Sequence, residues 1–156
     1  MQRLERIHFL SRADKLKPVR EVVRELAHRQ GCSQDNLDCL VMAINEACMN
    51  VMQHAYGDRD DGEIILEFWL DDEQLVIRIY DFADKVNPEK IKSRNLDDLR
   101  PGGLGVHLIH QVMDEVAYID IPDEPGNLLQ MKKRIGSASQ CMLKTGSGAN
   151  EKIPDQ

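Results

Sequence analysis

Two spacings of apolar residues alternate along this chain, one of about 2 residues and one of about 3.6. From Leu4 to Leu10 the alternation is that of a strand: Leu4, Arg6 and His8 fall on one side, and Ile7 and Phe9 offer the other. A helix is predicted from about Lys15 to Gln30, with Asp14 available as its cap, Pro18 in its first turn and Gly31 just past its end. Leu16, Val19, Val22 or Val23, and Leu26 supply its buried stripe. A second helix starts at Ser33 to Asp35 and runs to about Tyr56, stopping at Gly57. Leu37, Leu40, Val41, Ile44, Cys48, Val51 and Ala55 form its apolar face, the stripe of a helix docked on a sheet. At about 100° per residue, Glu46, Asn50 and Gln53 line the opposite side.

Strand spacing returns over Glu63–Leu70, with Ile64, Leu66, Phe68 and Leu70 on one face. It resumes over Gln74–Asp81, where Leu75, Ile77 and Ile79 form a row that Asp81 ends. The polar Asp71-Asp72-Glu73 link makes the two an antiparallel hairpin. From Asp84 to Gly103 the pattern gives way to Lys, Asp, Arg and Pro, with one short helical turn near Pro88 to Lys92. A loop this long inside a compact domain reads as a lid or binding loop. Gly105 to about Asp114 is helical; Val116–Ile121 and Asn127–Ile135 are two more strands, joined through the Pro122–Gly126 turn. This order implies an α+β two-layer sandwich, a mixed sheet of about five strands with three main helices on one face. It occupies residues 1–136, and the Ser, Gly, Lys and Asn of 137–156 read as a disordered tail.

Composition narrows the class. With 156 residues, 42% of them hydrophobic and 30% charged, one globular domain is expected. The formal net charge of -7 argues against a nucleic-acid surface, which depends on clustered Lys and Arg. Cys32, Cys39, Cys48 and Cys141 are scattered with no CxxC pair, so they read as reduced thiols of a cytoplasmic protein. The N-terminus lacks a signal-like apolar run and no segment reaches membrane-spanning length.

Two segments could carry chemistry. Glu46 and Asn50 stand one helical turn apart in a stripe without Lys or Arg between Asp38 and His54, flanked by Met42, Ala43 and Met49. As a plain solvated face such a stripe would mix charges. As a site, Asn50 offers a neutral oxygen to Mg²⁺, and Glu46 could take a proton from an attacking hydroxyl. Gly102-Gly103-Leu104-Gly105 runs straight into apolar Val106, Leu108, Ile109 and Val112. The glycines are either a loop ending or an anion cradle of free N–H groups at a buried helix start. No Gly-Lys-Ser/Thr follows them and no strand precedes them, so neither a Walker loop nor a Rossmann fingerprint is present. Asp81 is a strand-ending carboxylate or, if buried, an acceptor for an exocyclic amine of adenine. His54 and His107 are either phosphate neighbours or ordinary half-buried histidines, and the ordinary reading is the favoured one for each. Lys90, Lys92, Arg94 and Arg100 form a charged loop face from which Arg100 is best placed to reach a γ-phosphate. No Cys/His pair has zinc-ligand spacing.

Taken in order, these segments resemble the ATP-binding fold shared by gyrase, sensor histidine kinases and anti-sigma-factor serine kinases, the Bergerat-type fold, and most of all the last group. Glu46-x3-Asn50-x3-His54-Ala55-Tyr56 looks like that family's asparagine box, and Asp81 to Pro88 looks like its first glycine box. Gly102 to Ile109, continuing through Met113-Asp114-Glu115-Val116, looks like the second glycine box with its helix, and Gly126-Asn127-Leu128-Leu129 also fits. The resemblance covers roughly Leu4 to Ile135. It implies Glu46 as general base, Asn50 as magnesium ligand and Asp81 as the adenine reader, with Ala83 beside the adenine. The backbone of Gly103, Leu104, Gly105, Val106 and His107 would cradle phosphate under an Asp84–Gly103 lid. It further implies ATP and Mg²⁺, a small antagonist protein with an acceptor serine, a sequestered sigma factor or equivalent target, and a homodimer. Ala83 departs from the family, which carries glycine there; its methyl would crowd the adenine or require φ below zero. A nucleotide-gated binding module without catalysis, and a detached histidine-kinase catalytic domain, are the alternatives.

Overall fold

The computed structural model describes residues 1–85 and 104–135, with 104 and 105 by backbone alone. Strand β1 (Gln2–Leu10) leads through a 3-10 turn (Ala13–Lys15) into helix α1 (Leu16–Arg29). Helix α2 (Gln34–Val51) follows and is prolonged by a π turn (Met52–Tyr56). The hairpin β2 (Glu63–Asp71) and β3 (Gln74–Asp81), helix α3 (Leu104–Val112), and strands β4 (Glu115–Ile119) and β5 (Asn127–Arg134) complete the described chain. The sheet order is β1-β2-β3-β5-β4. Pro88–Lys92, Lys90, Arg94, Arg100 and Gly103 of the expected lid and cradle, and the tail beyond residue 136, lie outside the described residues.

The two-layer α+β architecture is as expected, with one correction: every strand pairing is antiparallel, so the sheet is not mixed. The cause is the helix count. Two helices between β1 and β2 return the chain to the side it left, so β2 enters reversed beside β1. Only α3 separates β3 from β4, which would make them parallel neighbours, but β5 inserts between the two.

The predicted stripes form the core. Val19, Val23 and Leu26 of α1 and Leu40, Val41, Ile44 and Cys48 of α2 meet Ile64, Leu66, Phe68, Ile77, Ile79 and Met131 of the sheet. Ile44, Cys48 and the sheet residues Ile64, Leu66, Phe68, Ile77, Ile79 and Met131 are fully buried at 0% exposure, and Cys48 sits deep enough that burial pushes its thiol up to about 12. Ser33 caps α2 through its hydroxyl, which accepts the Asn36 N–H. Asp14 does not cap α1: its carboxylate pairs with Arg12 inside the 3-10 turn. Leu4, placed by simple alternation with Arg6 and His8, instead packs toward the core, because a bulge between Arg3 and Glu5 shifts the register of β1. The hairpin link tightens to Asp72-Glu73, with Asp72 at φ 52°, the left-handed backbone that two-residue turns use.

Candidate functional site

The strands give the molecule two distinct ends. β3 runs toward Asp81, which pairs with Ile64 of β2 and Asn127 of β5, so these three residues mark one end. Tyr56, at the close of the π turn, reaches the same end: its hydroxyl donates to the Glu63 carbonyl at 2.6 Å and accepts the Phe82 N–H at 2.8 Å. The C-terminal half of α2, which carries Glu46 and Asn50, therefore approaches the Asp81 end. Helix α3 runs the other way. Its C-terminal side is fixed at the far end, where the Asp114 N–H donates to the Lys132 carbonyl and the Asp114 carboxylate accepts the Arg134 N–H. Nine residues of helix span about 13 Å, so the first turn of α3, Leu104 onward, points back toward the Asp81 end.

At that end Asp81 is only 5% exposed. One oxygen accepts the side-chain N–H of Asn127 at 2.9 Å and the Ala83 N–H at 3.1 Å. Burial pushes this carboxyl above the usual carboxylate range, while the Asn127 side chain and the backbone N–H groups of Ala83 and Asn127 pull the other way. Asn127 also donates to the Asp84 carbonyl at 3.1 Å, tying the start of the long loop to β5. Gly126 makes this closeness possible. It sits at φ 89°, and a Cβ there would lie 1.8 Å from the Asp81 carbonyl oxygen. Ala83, the departure from the family pattern, has no positive φ, so its methyl is carried without backbone strain and packs against the core margin.

Helix α2 lies between α1 and α3. Arg20 of α1 donates to the Asn45 side chain at 2.9 Å, which identifies the flank of α2 that faces α1. The opposite flank, toward α3, carries Ala43 and Ala47, both at 0% exposure. Glu46 and Asn50 border this small-residue flank, half-buried at the seam with α3. Among the described residues neither has a hydrogen-bond or ion-pair partner, so both side chains are available to a ligand. The stripe expected to be framed by Met42, Ala43 and Met49 is divided: Ala43 belongs to the core, while Met42 and Met49 are 48% and 44% exposed. Gln53 and His54 are exposed on the π turn. In α3, Val106 is half-buried and His107 is exposed rather than half-buried, bonded to Gln111 one turn later.

The structure thus brings Asp81, Ala83, the close of α2 and the start of α3 to one end of the sandwich, with Asn50 and then Glu46 further back along α2. Arg100 and Gly103 lie outside the described residues, as do the side chains of Leu104 and Gly105. Among the described residues no cluster of three His, Cys, Asp or Glu could hold a metal. Asn50 offers one neutral oxygen, a ligand type that suits Mg²⁺ arriving on nucleotide phosphates. A buried acceptor at Asp81 likewise suits the amine edge of a base. Sequence reading assigned no role to Tyr56, Gly62 or Asn127. Gly62 lies under the Tyr56 ring, where a Cβ would come within 2.3 Å of its carbons, and the glycine lets the ring seat. The signal for Asn127 was present in the Gly126-Asn127 pair at the start of β5, but its contact with Asp81 spans 46 residues.

Comparison with known proteins bears on the family and the fold. The model of the histidine kinase-like ATPase domain matches residues 9–133. A serine-protein kinase RsbW of Bacillus cereus (strain Q1) is 34% identical over 146 residues, covering 86% of this chain and 88% of the relative. The RsbW of Bacillus velezensis is 33% identical over 106 residues, covering 63% of this chain and 66% of the relative. Among solved structures, the RsbU and RsbW domains of a Mycobacterium tuberculosis protein superpose with a TM-score of 0.58 at 17% identity, over 85% of this chain and 33% of that one. A blue-light-activated histidine kinase domain of Erythrobacter litoralis gives 0.51 at 14% identity, over 78% of this chain and 60% of that one. These two support the shared fold. With the family model spanning most of its length and the Bacillus cereus relative matched nearly end to end, the chain belongs to the histidine kinase-like ATPase domain family and, within it, to the RsbW serine-protein kinases.

Proposed function

We propose that this chain transfers the γ-phosphoryl group of ATP to a serine of a small antagonist protein and, in the alternative partner state, sequesters a sigma factor or equivalent target as a homodimer. The observation that supports this reading is that α2, which carries Glu46 and Asn50 half-buried and without a partner among the described residues, packs against α3 and closes at Tyr56 beside the buried Asp81. ATP with Mg²⁺ supplies the phosphoryl group and neutralises its charge. Asp81, immobilised by Asn127 and Ala83, accepts the adenine amine. Asn50 offers its side-chain oxygen to the metal. The backbone N–H groups of Gly103, Leu104, Gly105, Val106 and His107 hold the phosphates. Glu46 takes the proton of the acceptor serine as its oxygen bonds to phosphorus and the β–γ bridging oxygen leaves with the electron pair. Arg100 counters charge at the γ-phosphate. A deprotonating carboxylate suits a hydroxyl acceptor more than an imidazole, which favours serine over histidine.

The experiment is incubation with labelled ATP and a small antagonist protein bearing an exposed serine. Transfer is expected for the natural chain. Glu46→Ala should lose at least about 100-fold of the rate while calorimetric ATP affinity holds within about threefold, since a general base acts mainly on the chemical step. Intact ATP binding with no transfer by the natural chain overturns the catalytic assignment and leaves a nucleotide-gated binding module. No binding heat with Mg-ATP removes the nucleotide as well.

A further inference from the structure

Strand β5 sets Leu129 and Met131 into the core beneath the helices, and the next residue of that row is a lysine. Lys133 is 8% exposed beside Leu75, and it is the one Lys or Arg buried among the described residues. A buried ammonium persists only against a counter-charge. Asp114 supplies it, with Oδ1 3.9 Å from the Lys133 Nζ. The other carboxylate oxygen accepts the Arg134 N–H at 2.7 Å, while the Asp114 N–H donates to the Lys132 carbonyl at 2.9 Å. One residue is thereby joined to three consecutive positions of β5. Asp114 follows directly on the last turn of α3, since the Met113 N–H still donates to the Ile109 carbonyl at 2.9 Å. Helix α3 has need of such a joint. The helix it packs on is α2, and the flank it meets there is lined by Ala43 and Ala47, whose short side chains offer shallow ridges against sliding along the axis. Ile109, Val112 and Met113, the buried residues of this stretch, all lie toward its C-terminal end.

We propose that Asp114 and Lys133 are positioning residues for the nucleotide. Their ionic anchor at the foot of α3 sets how far the helix reaches along α2, and so where its first-turn N–H groups stand relative to Asn50 and Glu46. This inference rests on the nucleotide site of the proposed function and adds to it two residues at the far end of the molecule, neither of which touches ATP. The helix spans about 13 Å, and a hydrogen-bonded helix is stiff along its axis, so a displacement at its foot is carried to its first turn. The lysine acts in a second way, because a cation beyond a helix C-terminus complements the dipole whose other end meets the phosphates. Packing alone does not call for a lysine here. An apolar residue continuing the row of Met131 would fill the space without the cost of desolvating an ammonium. What the ammonium adds is direction: it holds the Asp114 carboxylate against β5, where Arg134 can use it. Lys132 is the contrast, 30% exposed and paired with Glu115 at 3.2 Å on the other face of the sheet.

Calorimetric titration of the full chain with Mg-ATP, beside thermal melts without nucleotide, tests the anchor. Lys133→Met removes the buried charge with a side chain of similar length, and the Asp114 carboxylate left behind, 44% exposed, is taken up by water. Its Tm should therefore equal or exceed that of the natural chain. Its Kd for Mg-ATP should nevertheless rise roughly threefold or more, as the carboxylate turns from β5 and α3 loses its fixed reach. Asp114→Asn keeps an acceptor for the Arg134 N–H but strands the ammonium, so its Kd should rise roughly tenfold while its Tm falls. Lys132→Met should leave the Kd within about twofold of the natural value, since it breaks only an exposed pair. Affinity lost without stability lost is the signature that a merely structural ion pair does not give. A Kd that rises only in variants whose Tm has fallen, that rises equally in Lys132→Met, or that rises in none, overturns the anchor. A natural chain that binds Mg-ATP without transferring its phosphate loses the catalytic assignment and leaves this test intact. One that gives no binding heat overturns the nucleotide site and the anchor together.

Discussion

Asp81 concentrates the chemistry of the site into one side chain. With one oxygen already occupied by Asn127 and Ala83, an amide in its place would keep those acceptor bonds and turn its NH₂ toward the adenine proposed to bind there, donor against donor. Asp81→Asn should therefore weaken ATP at least about tenfold in calorimetry, the loss expected when a site's hydrogen-bond acceptor becomes a donor. Stability should move the opposite way. Burial raises the folded-state pKa of this carboxyl above its unfolded value, so the folded chain binds the proton more tightly. That contribution is fully present below the unfolded pKa and is lost as pH rises through the folded one. At neutral pH the ionised carboxylate is a burden that the amide lacks. Urea midpoints should show the variant's relative stability greatest near neutrality and declining as pH falls into the carboxylate range; an unchanging difference would contradict the burial argument. Ala83 shows why the sequence alone left its question open: whether a methyl forces strain depends on φ, which the loop and Asp81 set together.

At the scale of elements, the most legible parts were those whose signal is local. The stripes of α1 and α2, the Ser33 cap and the β2–β3 hairpin each arise within a few turns or strand residues, and they form where their spacing places them. The β1 bulge, the π turn and the insertion of β5 between β3 and β4 were not legible, because each is decided by partners far along the chain. The π turn matters most for the site. It widens the end of α2 so that the Tyr56 ring seats over Gly62 and its hydroxyl ties β2 to the residue after Asp81. Tyr56→Phe removes the acceptor of the Phe82 N–H in a half-buried setting. It should cost about 1–3 kcal/mol in chemical denaturation and speed amide exchange at Phe82 ahead of the core strands. Equal acceleration throughout would mean that the hydroxyl stabilises the fold at large and does not specifically anchor the loop. The Glu46/Asn50 pair was readable as a spacing, but the seam with α3 that half-buries it was not, since Ala43 and Ala47 look from sequence like ordinary helix formers.

Across the whole molecule, the groups proposed to hold nucleotide belong to separate parts of the fold: α2, the β3 end, and the start of α3. A ligand held by all three should stabilise the entire sandwich rather than one loop, since unfolding any of them releases it. Mg-ATP at a hundred times its dissociation constant adds about 2.7 kcal/mol by linkage. For a chain of this size that corresponds to a rise in Tm of about 5–10 °C. The same measurement separates the roles on α2. Asn50→Ala removes the oxygen assigned to the metal, so its remaining shift with ATP should be the same with magnesium as with a chelator. Glu46→Ala keeps the metal ligand and should retain the full magnesium-dependent shift even though transfer is lost. If Asn50→Ala keeps that dependence, the metal is held without this side chain, and the turn joining Glu46 to Asn50 is a spacing on a helix surface rather than part of the site.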